Sequence, residues 1–255
     1  MIAIHNLSTG YNNRTVGRHL SASLQQGELV SLLGANGIGK STLLRTLAAF
    51  QPPLEGDILI DGVPLSRLSA RQRSRLIGVV LTERTSLQNM RVNELVGMGR
   101  SPYTGFWGGL SKDDECIVEE AMRRTGIEKL RDRFVSTLSD GERQKVMIAK
   151  AVAQETPIIL LDEPTAFLDF PSKVDTMRML QQLARSLQKI IFLSTHDIEM
   201  ALQLSDRIWL MTAEGLITGT PNELAKEGTL QRFLQHEGVS FNPDTFTLEI
   251  QRGIN

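Results

Sequence analysis

A glycine-rich turn followed by a lysine and two hydroxyl residues lies near the N-terminus, between a predicted strand at 28–33 and a predicted helix at 40–50. Glycines let backbone N–H groups surround phosphate oxygens, and a helix N-terminus adds a favourable dipole. Lys40 could reach the β- and γ-phosphates, and the Ser41 hydroxyl could ligate Mg²⁺. The pattern therefore predicts a site for a nucleoside triphosphate. Its predicted binding residues are Gly34, Asn36, Gly37, Gly39, Lys40, Ser41 and Thr42.

Two adjacent acids, Asp162 and Glu163, follow the segment 158–161. This segment is apolar throughout and therefore predicts a buried strand. In open α/β folds such a strand delivers its last residues to the edge of the sheet where ligands bind. We expect Asp162 to hold Mg²⁺ through its water shell and Glu163 to polarise an attacking water. A solvated helix cap is the alternative for an isolated acid pair, and the nearby phosphate pattern argues against it.

The segment Leu138-Ser139-Asp140-Gly141-Glu142 resembles the LSGGQ signature of ATP-binding cassette (ABC) proteins, with acids at two of its positions. In that family the signature grips the γ-phosphate of ATP bound to another subunit. The resemblance therefore implies that Ser139 and Gly141 bind ATP across a head-to-tail homodimer. Without its neighbours, Ser-Asp-Gly would be an ordinary helix N-cap.

Three further residues match elements of the same family in the expected order. Asp169 ends a segment, 165–169, that resembles the loop crossing between subunits. His196 follows an apolar strand and resembles the switch histidine that contacts the γ-phosphate, so the implied catalytic residues are Lys40, Glu163 and His196. Tyr11 resembles the aromatic residue that stacks on adenine, with a surface tyrosine in a turn as the alternative. The resemblance implies ATP and Mg²⁺ as ligands.

One position departs from the family in a way that affects the metal. The strand at 76–81 ends where the family usually has a glutamine, and Thr82 occupies that position. The Thr82 hydroxyl could ligate Mg²⁺, or Glu83 could do so with a charge.

The stretch 99–114 resembles the helical region of importer ATPases for iron–siderophore complexes, haem and cobalamin. In those proteins it receives a coupling helix of the membrane permease. An exposed aromatic loop would suit such a socket, although Tyr103, Phe106 and Trp107 could instead form a local core. The resemblance implies an integral membrane permease as partner and, indirectly, a periplasmic or surface solute-binding protein. A soluble ABC ATPase of iron–sulphur cluster assembly is the alternative function.

Composition is compatible with this interpretation. The 255 residues carry a formal net charge of −1 with dispersed Lys and Arg, which argues against a nucleic-acid partner. A single cysteine, the lack of a long apolar run and the absence of a signal-peptide pattern predict a protein of a reducing compartment with no membrane span of its own. The resemblance implies that its permease holds it at the cytoplasmic side of the bacterial inner membrane.

Strands alternating with helices predict an α/β fold with a mostly parallel sheet that is covered on both sides. The resemblance implies that this fold is a P-loop ABC ATPase core. The resemblance adds an N-terminal antiparallel β subdomain and an inserted helical subdomain. We expect one ABC ATPase domain in which 1–83 and 141–220 form the nucleotide-binding core. The helical subdomain with the signature would span 84–140, and 221–255 would form a C-terminal extension.

Overall fold

Twelve strands and nine α-helices occur in the computed structural model, which describes residues 1–11, 14–82, 89–105, 108–235 and 239–250. The strands are β1 (Ile2–Tyr11), β2 (Arg14–Leu24), β3 (Leu29–Gly34), β4 (Glu55–Ile60), β5 (Val63–Pro64), β6 (Ile77–Val80), β7 (Ile158–Asp162), β8 (Ile190–Ser194), β9 (Arg207–Thr212), β10 (Gly215–Gly219), β11 (Val239–Asn242) and β12 (Thr247–Ile250). The helices are α1 (Lys40–Leu47), α2 (Ala70–Leu76), α3 (Val92–Gly97), α4 (Lys112–Arg124), α5 (Asp140–Ala153), α6 (Phe170–Leu187), α7 (Ile198–Leu204), α8 (Pro221–Lys226) and α9 (Thr229–Leu234). Short 3₁₀ turns lie at Leu65–Arg67, Met98–Arg100, Glu128–Leu130 and Val135–Thr137.

A six-stranded sheet in the order β10-β9-β3-β8-β7-β6 forms the centre of the molecule. All its neighbouring strands are parallel except β10, which runs antiparallel to β9. Every residue of β7 and β8 is buried, because helices cover both faces of a parallel sheet. Trp209 of β9 is fully buried and packs edge-on against Phe192, with ring centroids 5.0 Å apart. Trp209 therefore belongs to the core of the central sheet.

A second sheet, β2-β1-β4-β5, is antiparallel throughout and contains the N-terminus. The predicted α/β class, with a mostly parallel sheet beside an N-terminal antiparallel one, is confirmed. Helix α1 is shorter than predicted: it ends at Leu47, and Ala49 adopts a left-handed φ of 57°, just before the consecutive prolines at 52 and 53. The proline rings and the left-handed residue prevent the helix from continuing.

Helices α3, α4 and α5 pack together beside the central sheet around a cluster of buried aliphatic side chains. Helices α3 and α4 lie within the stretch predicted as an inserted subdomain, and α5 begins at its end. The limits of this subdomain at 84 and 140 stay a prediction. The C-terminal region, predicted only as an extension, contains α8, α9 and the β11–β12 hairpin, which share a small core with α7. Among the described helices, none is both long and apolar enough to cross a bilayer.

Candidate functional site

The glycine-rich turn links β3 to α1 as predicted. Gly37 and Gly39 adopt φ values of 75° and 113°, which favour glycine. A Cβ on Gly39 would also lie 2.9 Å from Cγ2 of Val16, so this position has no room for a side chain. Lys40, the first residue of α1, donates from Nζ to the carbonyls of Gly34 and Ala35 at 2.8 and 3.2 Å. The lysine is thereby folded back over the turn, with its ammonium held at the loop.

A cleft of about 220 Å³ opens over this turn. It gathers predicted residues from four separate parts of the chain, which is the arrangement that a phosphate-binding and catalytic site requires. Its lining consists of Tyr11, Val16, Asn36, Gly37, Gly39, Lys40, Ser41, Thr42, Glu163 and His196. Val16 was not predicted: it belongs to no motif, and only the pairing of β1 with β2 brings it to the cleft. Tyr11 lies at the end of β1 with half of its surface exposed, and its contact with adenine stays a prediction.

Asp162 lies at the end of β7 and receives two hydroxyl groups on one oxygen. Ser41 Oγ donates to Asp162 Oδ1 at 3.1 Å, and Ser194 Oγ donates to the same atom at 2.7 Å. A hydroxyl and a carboxylate placed side by side fit Mg²⁺, which keeps several waters and takes its remaining ligands from few protein groups and from phosphates. In the described part of the chain, no cluster of three or more His, Cys, Asp or Glu side chains could hold a metal. Ser41 and Asp162 thus lie together as a predicted magnesium site would require, and their role as its ligands stays a prediction.

Glu163 and His196 face each other at the cleft, with Oε1 and Nε2 2.5 Å apart. Burial raises the pKa of the Glu163 carboxyl, and the neighbouring His196 and Lys40 oppose that rise. Burial likewise lowers the pKa of Lys40, while Glu163 and Asp162 act in the other direction. Charged groups are thus held close together in a partly desolvated cleft, a setting typical of catalytic sites.

Thr82 lies close to these acids without lining the cleft. Its Oγ1 donates to the backbone carbonyl of Asp162 at 2.7 Å. The proximity is compatible with the predicted contact to Mg²⁺, which stays a prediction. Glu83, the alternative ligand, lies outside the described residues.

The signature segment forms the N-terminus of α5, outside the cleft. Ser139 caps the helix: its Oγ accepts the N–H of Glu142 at 3.2 Å, and Glu142 Oε2 accepts the N–H of Ser139 at 2.9 Å. Glu142 also pairs with Arg133 at 3.0 Å, and the backbone N–H of Ser139 together with this arginine holds the pKa of Glu142 below its usual value. The acid at 142 therefore completes a capping box, a role that glutamine or glutamate can fill.

The segment 165–169 connects the cleft to the signature. Asp169 caps α6 by accepting the N–H of Ser172 at 3.1 Å, and Gly141 of the signature lies beside the same serine. At the other end, Asp197 accepts a hydrogen bond from Thr165 Oγ1 at 3.0 Å and pairs with Lys173 at 2.9 Å. Because Asp197 follows His196 directly, these contacts tie the predicted switch histidine to the predicted inter-subunit loop.

The loop at 99–105 is anchored by arginines. Tyr103 is half-buried, with the guanidinium of Arg100 4.2 Å and that of Arg75 4.9 Å from its ring centroid. Arg75 also donates to the carbonyl of Pro102, so α2 is linked to this loop. Phe106 and Trp107, predicted either for a socket or for a local core, lie outside the described residues.

Comparison with known proteins decides the family. A family model described as ABC transporter matches residues 18–166, which include the phosphate loop, the signature and both acids. The chain belongs to the ABC transporter family. The predicted resemblance is confirmed.

Curated relatives of this ABC protein share about a third of its residues. An uncharacterized ABC transporter ATP-binding protein of Methanocaldococcus jannaschii is 38% identical over 95% of this chain and 84% of its own length. The ferric enterobactin transport ATP-binding protein of Escherichia coli is 36% identical over 89% of this chain and 84% of its own. The cobalamin import ATP-binding protein BtuD of Halobacterium salinarum is 36% identical over 82% of this chain, which spans 52% of that protein.

Solved structures share the fold of this ABC protein. CbiO1 of Clostridium perfringens, part of the ABC transporter complex CbiONQ, matches with a TM-score of 0.79 and 29% identity over 91% of this chain and 92% of its own. An ATP-binding cassette in a dimeric, post-hydrolysis state with bound ADP and Pi matches with a TM-score of 0.73 and 26% identity, over 86% and 98% of the two chains. The predictions of an ABC fold and of an ATPase are confirmed.

Proposed function

We propose that this ABC ATPase binds and hydrolyses Mg-ATP in pairs to drive an importer for an iron complex, a siderophore or haem, or for cobalamin. The proposal of ATP binding and hydrolysis rests on the cleft, in which the phosphate-loop residues lie beside Glu163 and His196. The transport part is supported by relatives named for ferric enterobactin transport and cobalamin import.

Each polar group of the cleft has a proposed task. The N–H groups of the loop and the Lys40 ammonium bind the β- and γ-phosphates, for which the lysine exchanges its two carbonyl partners. Glu163 accepts a proton from the attacking water, because a buried carboxylate with a raised pKa is a better base than an exposed one. His196 contacts the γ-phosphate. Ser41 and Asp162 would hold Mg²⁺, which neutralises charge on the phosphates.

Ser139, Gly141 and Asp169 do not line the cleft of their own chain. We assign them to the ATP of a second copy, so that two chains in head-to-tail orientation complete two sites. The dimeric state of the similar cassette supports this assignment. The exposed N-terminus of α5 is suited to receive a phosphate, since its N–H groups and dipole favour an anion.

A permease partner follows from the same family. CbiO1 is part of a larger transporter complex. We place the permease contact at the 99–105 loop and the protein at the cytoplasmic side of the membrane, with a solute-binding protein acting through the permease. The alternative of iron–sulphur cluster assembly gains no support from the relatives above, which are named for transport.

Uptake in cells tests the transport part of this proposal. A strain that lacks the gene would carry either the wild-type chain or Lys40→Ala, and uptake of ⁵⁵Fe-siderophore, ⁵⁵Fe-haem and ⁵⁷Co-cobalamin would be measured. We expect one of these solutes to accumulate with the wild type and not with Lys40→Ala. Equal uptake of all three solutes with both chains would contradict the importer assignment.

A further inference from the structure

The peptide group between Asp162 and Glu163 is gripped on both sides by hydroxyls. Thr82 Oγ1 donates to its carbonyl at 2.7 Å, and Ser194 Oγ accepts its N–H at 3.0 Å. Ser194 Oγ in turn donates a hydrogen bond to Asp162 Oδ1 at 2.7 Å. This serine therefore holds both the backbone N–H of Glu163 and the side chain of Asp162.

The register of three parallel strands produces this arrangement. β7 lies between β6 and β8, with Leu161 opposite Val80 and Asp162 opposite Ser194. Thr82 comes two residues after the end of β6. Each neighbour of β7 therefore places one hydroxyl beside the point where the central strand ends. A residue on a single strand could not hold both sides of the peptide.

Glu163 needs such support because its backbone is unfavourable for an L-residue. Its φ is 49°, in the left-handed region that glycine, asparagine and aspartate occupy most readily. Non-glycine residues persist there only when their surroundings fix them, and such residues cluster at active sites. Rotation of the 162–163 peptide towards a relaxed φ would change the direction of the Glu163 side chain, which now points to His196 at 2.5 Å.

We propose that Thr82 and Ser194 are positioning residues that clamp the Asp162–Glu163 peptide and thereby aim the Glu163 carboxylate at the attacking water. The inference rests on the proposed role of Glu163 as general base. It gives Thr82, at the position where the family usually has glutamine, a task in catalysis that does not depend on contact with Mg²⁺.

The experiment compares purified wild type with Thr82→Val, which removes the hydroxyl at nearly constant shape, and with Thr82→Ser, which retains it. Thr156→Val is the matched control, because Thr156 donates to the carbonyl of Ile158 at 2.8 Å at the opposite end of β7. For each protein, kcat and KM for ATP, the Mg²⁺ concentration at half-maximal rate, and the melting temperature are measured. Binding of a fluorescent ATP analogue gives affinity independently of turnover.

We expect Thr82→Val to lower kcat about three- to tenfold, the effect of one net hydrogen bond acting in the transition state. KM, analogue affinity and the Mg²⁺ requirement should stay within about twofold of wild type, because the clamp does not touch the nucleotide. Thr82→Ser should recover kcat to within about twofold, and Thr156→Val should match the wild type. Ser194→Ala combined with Thr82→Val should cost less than the product of the two separate losses, since both grip one peptide.

Three results would overturn the clamp. Wild-type kcat in Thr82→Val would show that the hydroxyl is dispensable. Recovery of that variant at high Mg²⁺ would assign Thr82 to the metal instead. Equal loss in Thr82→Ser would exclude the hydroxyl as the cause. These three results are distinguishable from a failure of the proposed function. If Glu163 were not the general base, Glu163→Gln would hydrolyse ATP at the wild-type rate.

Discussion

Removing the buried guanidinium of Arg100 should destabilise the helical region strongly. Its side chain is only 6% exposed, and its Nε donates to Asp114 at 2.8 Å. Its Nη1 donates to the Ala153 carbonyl and to Glu155, both at 2.8 Å. The 99–105 loop is thereby fastened to α4 and to the end of α5. Arg100→Met keeps much of the side-chain length and removes every one of these donors.

The expected loss of stability in Arg100→Met depends on which partners of Arg100 are left without a hydrogen bond. Breaking a buried ion pair by removing one partner costs about 3–5 kcal/mol. Asp114 is 13% exposed and keeps hydrogen bonds from the hydroxyl and amide of Ser111, while Glu155 is 51% exposed and can return to water. The loss should therefore lie at the lower end, about 3 kcal/mol. For a domain of this size that corresponds to a melting temperature lower by about 6–12 °C.

Thermal unfolding followed by circular dichroism measures the shift. Arg123→Met on α4 is the matched control, since Arg123 is 62% exposed and pairs with Glu120, itself 39% exposed. Such a surface pair contributes at most about 1 kcal/mol. If Arg100→Met melts within 2 °C of Arg123→Met, the buried network does not stabilise the protein and the reasoning is wrong.

Three further outcomes are expected. The hydrogen bond from Ser111, together with Arg100, lowers the pKa of Asp114 to about 2. The contribution of Asp114 to stability should therefore be complete above about pH 4 and be lost as the pH falls towards 2. The melting temperature of Asp114→Asn should depend less on pH between 2 and 6 than that of the wild type. Lys173→Met, which removes the ion-pair partner of Asp197, should lower kcat about fivefold, and Lys173→Arg should restore it. Equal rates in all three proteins would contradict a tie between α6 and the switch loop. A mixture of Ser139→Arg and Lys40→Ala chains should hydrolyse ATP although neither homodimer does, and activity in both homodimers would exclude the head-to-tail site.

The fold was largely predictable because the chain repeats strong local signals. Apolar segments that run into glycine or paired acids predict buried parallel strands. β3, which runs into the glycine-rich turn, is buried except at Gly34, and β7, which runs into the paired acids, is buried along its whole length. The cleft was predictable for the same reason, since each motif ends a strand at one edge of the sheet. The motifs do not predict the register of β6 and β8 against β7. That register determines the hydrogen bonds of Thr82 and Ser194.

Features that depend on distant contacts were missed. Val16 reaches the cleft only through strand pairing in the N-terminal sheet. The C-terminal hairpin packs on α7 through short apolar patches, and its Leu248 N–H donates to Glu199 Oε1 at 2.6 Å. The hairpin has no periodic pattern long enough to predict its partner, because Glu199 lies 49 residues from Leu248 in the sequence.

Turnover by Glu163→Gln tests the central claim most directly. The purified variant and the wild type would be incubated with Mg-ATP, and released phosphate and the oligomeric state would be measured together. The account predicts at least about a hundredfold slower phosphate release than in the wild type, the effect of removing a general base, with ATP retained in a dimer. Phosphate release at the wild-type rate would contradict it.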